Sequence, residues 1–166
     1  MACMAHTTVD SSTNQAATSL PSWPDHLAAT GAIRFSRSSA AYDRTVAFYR
    51  DTVGLPFIGD FTASFGEDGT IFGLPGLAAH MEIVRGHGPA ANVDPLDQLV
   101  LYLSGAAAVA AVATRLERAG VPSDPTPHPY WAARGSRVFL DPDGRRVVFA
   151  PWVFGIQEEP LAAGDH

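Results

Sequence analysis

Two stretches of this 166-residue chain run through the same order of elements, and that duplication limits the available folds more than any other feature. In the first, "AIRFSRSS" alternates Ile33 and Phe35 with Arg34, Ser36 and Ser38, the period of a strand with one apolar and one polar face. "AAYDRTVAFYRDTVG" then changes to helical spacing through Val46, Tyr49 and Val53, with Gly54 and Pro56 as the stop. "LPFIGDFTA", "GTIFGL" and "AAHMEIVRG" follow as three strand-like runs parted by Gly, Asp and Pro. In the second stretch "DQLVLYLSG" reads as a strand, and "AAAVAAVATRLERAG" as a helix with Val109, Val112 and Leu116 on one stripe and Gly120 as its stop. Strands are then expected near 123–128, at "SRVFLD" and at "RRVVFAPW", the last two joined by a "DPDG" turn. An internal duplication of a strand, helix and three strands accounts for this order, which predicts an α+β chain of paired βαβββ modules.

The duplicated part suits one domain over 29–155, with modules at about 31–86 and 97–152. Residues 1–28, rich in Ser, Thr, Ala and Gln without apolar period, are expected to form a disordered arm, and 156–166 a tail. That arm lacks the basic head and apolar run of a secretion signal, and no apolar stretch approaches the ~18 residues that cross a bilayer. The expectation is therefore a cytoplasmic protein that meets no membrane. The one cysteine, Cys3, lies in the arm and can form neither an internal disulfide nor a thiolate metal cage. A net charge of -6 argues against nucleic acid as a partner.

Alternation also sorts residues by face. Arg34, Ser36 and Ser38 oppose Ile33 and Phe35; His80 and Glu82 oppose Met81 and Ile83; Gln98, Val100 and Tyr102 oppose Leu99, Leu101 and Leu103; Arg146, Val148 and Ala150 oppose Val147 and Phe149. The apolar sets can pack under the two helices. The other sets are either solvent faces or walls of a cavity, and Val100, Tyr102, Val148 and Ala150 are too apolar for a free face.

The segments "AAYDRTVAFYRDTVGLPFIGDF", "AHMEIVRG" and "GSRVFLDPDGRRVVFAPW" resemble the vicinal oxygen chelate superfamily, which includes glyoxalase I, bleomycin-resistance proteins, fosfomycin-resistance enzymes and extradiol dioxygenases. The likeness spans about residues 31 to 152 and is sharpest to glyoxalase/bleomycin-resistance-like proteins with an "NPYW" segment, here "HPYW" from His128 to Trp131. It implies the glyoxalase/bleomycin resistance/dihydroxybiphenyl dioxygenase fold, a curved mixed sheet enclosing a cavity, and a homodimer. Superfamily enzymes hold a divalent metal such as Zn, Mn, Ni or Fe with one side chain from each of four cavity strands. Carried onto this sequence those positions are Arg34, Glu82, Gln98 and Val148, all on the faces sorted above.

A guanidinium is a permanent cation, valine has no donor atom, and an amide oxygen is a weak ligand. The expectation is no metal and no cofactor, with Glu82, Gln98 and His80 as the fallback ligands if one is bound. The reading that follows is a protein that binds or sequesters a small organic molecule, as bleomycin-resistance members do, in a cavity lined by Arg34, Ser36, His80, Glu82, Gln98, Tyr102, Tyr130, Trp131 and Val148. Arg34 would meet a carbonyl or carboxylate, Glu82 an ammonium, hydroxyl or acidic proton. The alternatives are a metal-independent isomerase, cyclase or lyase with Glu82 as general base and Arg34 or Gln98 stabilising an oxyanion, and a glyoxalase-type metal lyase or dioxygenase. The residues leave enzyme or binder open, and leave open whether Arg34 and Glu82 form only a structural ion pair.

Overall fold

The computed structural model describes residues 33–74, 78–88 and 92–153; the arm expected over 1–28 and the tail over 156–166 lie outside the described residues. The first module carries β1 (Ile33–Ser39), α1 (Tyr42–Ala47) running on as a π-helical turn over Phe48–Val53, β2 (Phe57–Ser64), β3 (Glu67–Gly73) and β4 (Ala79–Arg85). The second carries β5 (Gln98–Tyr102), α2 (Ala106–Arg118), the single turn α3 (Pro129–Ala132), β6 (Arg137–Leu140) and β7 (Arg146–Ala150).

The duplication is visible in the strand order. One sheet runs β1-β4-β3-β2, with β1 parallel to β4 and the other pairs antiparallel. The other runs β5-β7-β6, with β5 parallel to β7 and β6 antiparallel to it. Its order repeats the first three places of the first sheet. The fourth strand, expected near 123–128, is reduced to one bridge between Ser123 and Phe139. Pro122, Pro125 and Pro127 explain the difference, since proline has no N–H to offer a ladder.

The helices pack between the modules over a common core. Phe48, Tyr49, Phe72, Met81 and Ile83 from the first module meet Leu99, Val109, Leu116, Phe139, Val147 and Phe149 from the second. The strand faces follow the alternation, with two departures. Ile33, at the start of β1, is 48% exposed rather than packed under a helix, and Val148 and Ala150, on the face opposite the core, are fully buried.

Two turns fix the helix α1. At its end Gly54 takes φ 86°, a left-handed stop, and Arg115 of α2 donates to the Asp51 carbonyl at 2.7 Å. At its start the cap comes from the other module. Asp143, in the "DPDG" turn, accepts from the Ala40 and Ala41 amides at 3.1 and 3.2 Å, and from the Ser39 and Thr45 hydroxyls at 2.5 and 2.9 Å. Next to it Tyr49 reaches Asp141, and Arg37 and Arg145 share the carboxylate of Asp97. Burial pushes Asp143 up, but the bonds from Ser39 and Thr45 outweigh it and hold the carboxyl below its ordinary range. For Asp141 burial prevails over the bonds from Arg145, Tyr49 and Asp143, and its carboxyl is raised. Burial likewise raises the Tyr49 phenol. Arg145 is thus part of the joint between modules, its side chain 13% exposed.

Candidate functional site

The parallel pairing of first and last strands puts equivalent residues side by side in each module. Arg34 pairs with His80 and Ser36 with Glu82; correspondingly Gln98 pairs with Arg146 and Val100 with Val148. The four positions taken from the family resemblance are therefore a diagonal pair in each sheet, Arg34 with Glu82 and Gln98 with Val148.

The first pair forms a polar face. Ser36 donates to Glu82 at 2.6 Å, and the Arg34 guanidinium stands 3.8 Å from the same carboxylate oxygen. The Glu82 side chain is 13% exposed and that of Arg34 50%, so the cation leans outward and the carboxylate sits at the base. His80 is half-buried on the same strand. The resulting surface offers an accessible guanidinium next to a recessed carboxylate, able to take a ligand oxygen on one and a ligand N–H or O–H on the other.

The second pair is closed. Gln98 gives its amide nitrogen to the Pro95 carbonyl at 3.1 Å and accepts from the Trp131 indole at 2.7 Å. Trp131 lies edge to face with Tyr130, ring centroids 4.8 Å apart, and 5.8 Å from Trp152. Val148 has no exposed surface. His128 is the cap of α3, its Nδ1 accepting from the Tyr130 amide at 3.2 Å, which places the ring proton on Nε2 in the neutral form. Arg146 binds the buried carboxylate of Asp124 and the Pro95 carbonyl. Burial raises Asp124, yet the bonds from Arg146 and the Thr126 amide bring it below its ordinary range.

Of the residues singled out by sequence, Arg34, Ser36, His80 and Glu82 lie on one sheet, Gln98 and Val148 on the other, and Tyr130 and Trp131 in α3. Tyr102 stands apart: 41% exposed, it lies with Leu55, Leu74, Leu103 and Phe149 along an apolar cavity of about 240 Å³ beside the outer edge of β5. A second cleft, of about 200 Å³, is lined by Pro95, Leu96, His128, Pro129 and Arg146. Neither is lined by Arg34, Ser36, His80 or Glu82. Sequence reading missed Trp152 and Asp124. The signal for Trp152 was its place two residues past Ala150, on the Val148 side of β7; that for Asp124 was a lone acid among prolines.

A divalent metal fits these residues poorly. One of the four family positions is a guanidinium, one a fully buried valine, and the amide of Gln98 is already bonded at both ends. Among the described residues no three His, Cys, Asp or Glu side chains gather as a metal site would require.

Comparison with known proteins agrees with the duplicated architecture. A model of the YycE-like N-terminal domain matches residues 33–84, and one of the YycE-like C-terminal domain residues 97–151. The uncharacterized protein YycE of Bacillus subtilis (strain 168) is 35% identical over 121 residues, covering 70% of this chain and 85% of the relative. The crystal structure of a YycE protein of unknown function from Bacillus subtilis superimposes with a TM-score of 0.65 at 32% identity, over 74% of this chain and 90% of that one. TnmS3, an antibiotic binding protein from Streptomyces sp. CB03234, gives 0.57 at 24% identity over 76% and 100% of the two chains. The fosfomycin resistance protein FosX from Mesorhizobium loti gives 0.57 at 13% identity over 73% and 90%. The last two establish the shared fold alone.

Proposed function

The chain belongs to the YycE-like family, with the fold of the vicinal oxygen chelate superfamily, and from that membership and its own side chains we propose that it binds a small organic molecule without a metal. The observation that carries this reading is the pair of Arg34 and Glu82, 3.8 Å apart at two of the positions that the family resemblance gives to metal ligands. A guanidinium there repels a divalent cation and attracts a carbonyl or carboxylate oxygen. Glu82, recessed and held by Ser36, takes the ligand's ammonium or hydroxyl hydrogen. Antibiotic-binding proteins such as TnmS3 use the same fold, so binding without chemistry is within its range.

Binding asks only for this complementary pair, whereas proton abstraction asks for a carboxylate free to reach the substrate. The 2.6 Å bond from Ser36 occupies one oxygen of Glu82 and favours the binding role. We extend the proposal to a homodimer whose second copy closes the open face of β1, to be checked by light scattering.

The test is a thermal-shift screen of the full chain with flat aromatic compounds carrying both an amine and a carboxylate. Hits are followed by calorimetry and by mass spectrometry of the incubated compound. Unchanged compound, with affinity lost about tenfold or more in Arg34→Ala and partly kept in Glu82→Gln, supports binding. Turnover that vanishes in Glu82→Gln would replace it with the general-base reading. A stoichiometric divalent ion in the purified protein would overturn both.

A further inference from the structure

The apolar cavity of about 240 Å³ beside the outer edge of β5 is built by both modules. Val53, Leu55 and Leu74 come from the first, and Leu103, Val112 and Phe149 from the second. Its floor is deep, with Leu55 5% and Phe149 1% exposed, while Tyr102 on the rim is 41% exposed. Leu101, Leu103 and Phe149 belong with the core, on the side of the second sheet opposite Val148 and Ala150. The cavity is therefore on the helix side of that sheet and apart from the Arg34 and Glu82 face.

Native interiors are packed to the density of organic crystals and seldom keep voids larger than a water molecule. Here the walls are held apart. The Gly54 and Leu55 amides both bond back to the Tyr49 carbonyl, at 3.1 and 2.9 Å, so the first helix ends in a π-helical turn that leaves Val53 and Gly54 on the lining. Arg115 of α2 donates to the Asp51 carbonyl at 2.7 Å and ties that turn to the helix carrying Val112. Across the cavity the Leu103 amide is bonded to the Ala150 carbonyl at 2.8 Å, and the Leu74 amide to the Ala79 carbonyl at 3.0 Å. Walls pinned through their backbones do not collapse into the space between them.

No Asp, Glu, His, Lys or Arg lines this space. A charged group carried into it would lose its water and meet no counter-ion, whereas apolar cavities stay dry and take apolar guests. A flat protein surface laid over the mouth would not reach Leu55 and Phe149, so the depth favours a small molecule over a docked partner. We propose that the cavity is a second binding site, for an uncharged, largely aliphatic molecule of about ten non-hydrogen atoms that bridges the two modules; a cavity of ~150 Å³ already holds benzene. The ligand read for Arg34 and Glu82 carries charge, so the two sites select opposite chemistry and neither rests on the other.

The test uses the full chain with ¹³C-labelled leucine and valine methyl groups, assigned by single substitutions, with NMR and calorimetry as readouts. The probes are 1-octanol, octanoate and octylammonium, one chain length in three charge states. 1-Octanol is expected to move the Leu55, Leu103 and Val112 methyl signals and to bind about tenfold or more tightly than either ion. Val112→Phe, which grows into the cavity, is expected to weaken 1-octanol about tenfold, and Leu74→Phe, which fills it from the other module, serves if the first variant does not fold. The methyl signals themselves are read on the unaltered chain. Signals unmoved by millimolar 1-octanol, equal affinity for the three probes, or affinity unchanged in a filled variant would each overturn the proposal. So would lining methyl signals that shift on raising the protein concentration without ligand, since a second copy would then be the occupant. Failure here leaves the Arg34 reading intact, because that one is scored by Arg34→Ala with a charged aromatic ligand.

Discussion

The Tyr49 hydroxyl of the first module donates a 3.0 Å hydrogen bond to Asp141 of the second, and both residues are buried. Asp141 also accepts from the Asp143 and Arg145 amides, but through its other oxygen. Tyr49→Phe therefore leaves one buried carboxylate oxygen unmatched while keeping the ring in place. The expected cost is about 2 kcal/mol in urea unfolding, at an unchanged m-value. A loss under about 0.5 kcal/mol would show that this hydrogen bond adds nothing net to the joint between modules.

Three recessed carboxylates, two in this joint and Asp124 beside Arg146, set the acid response. Asp143 and Asp124 are held below their ordinary range, so the stability they supply is complete above their unfolded value near 3.8 and is lost as pH falls through the folded one. Asp141 is raised and acts in the opposite sense, since folding disfavours its charged form and protonation relieves that. Unfolding free energy is expected to fall below pH ~4. Asp143→Asn should flatten that fall, and Asp141→Asn should remove a gain in stability that the native protein makes as pH falls from the raised folded value of Asp141 to about 3.8. Urea titrations between pH 6 and 2.5 distinguish these signs.

Gly54 tests a feature that is legible in the sequence itself. Its φ of 86° suits glycine, and an added Cβ would stand 3.0 Å from the Arg115 guanidinium that bonds the Asp51 carbonyl. Gly54→Ala is expected to cost about 1–3 kcal/mol, read as a lowered melting temperature, through left-handed strain and displacement of Arg115. A glycine closing an apolar period announces such a stop, and two-residue alternation announces which strand residues share a face. Neither shows which faces are covered. Val148 and Glu82 hold equivalent places in the two modules, yet Val148 has no exposed surface while the Glu82 side chain keeps 13% and borders the half-exposed Arg34, because burial depends on what packs over each sheet from elsewhere in the chain. The cap by Asp143 is hidden for a related reason: its partners Ser39 and Thr45 are about a hundred residues away, and local spacing reports only local bonds. The π-helical turn is equally silent, since Tyr49 and Val53 satisfy the ordinary helical period.

Placing an acid at position 148 separates a lost ligand from a lost site. If the second half were a metal pocket lacking only its carboxylate, Val148→Glu would gain affinity for Mn²⁺. The structure argues the reverse. The side chain at 148 has no exposed surface, its neighbours Val100 and Val138 are apolar, and Gln98, the other family position of this sheet, is bonded to Trp131 and Pro95. An ionised carboxylate placed there loses its hydration and finds no cation, since Arg146 is engaged with Asp124. Val148→Glu is expected to lower stability by about 3–5 kcal/mol and to show no heat of Mn²⁺ binding by calorimetry, whereas the larger but neutral Val148→Leu should cost about 1–3 kcal/mol from overpacking. A Val148→Glu protein of native stability that binds Mn²⁺ would mean that the packing around position 148 is loose enough to yield to a metal.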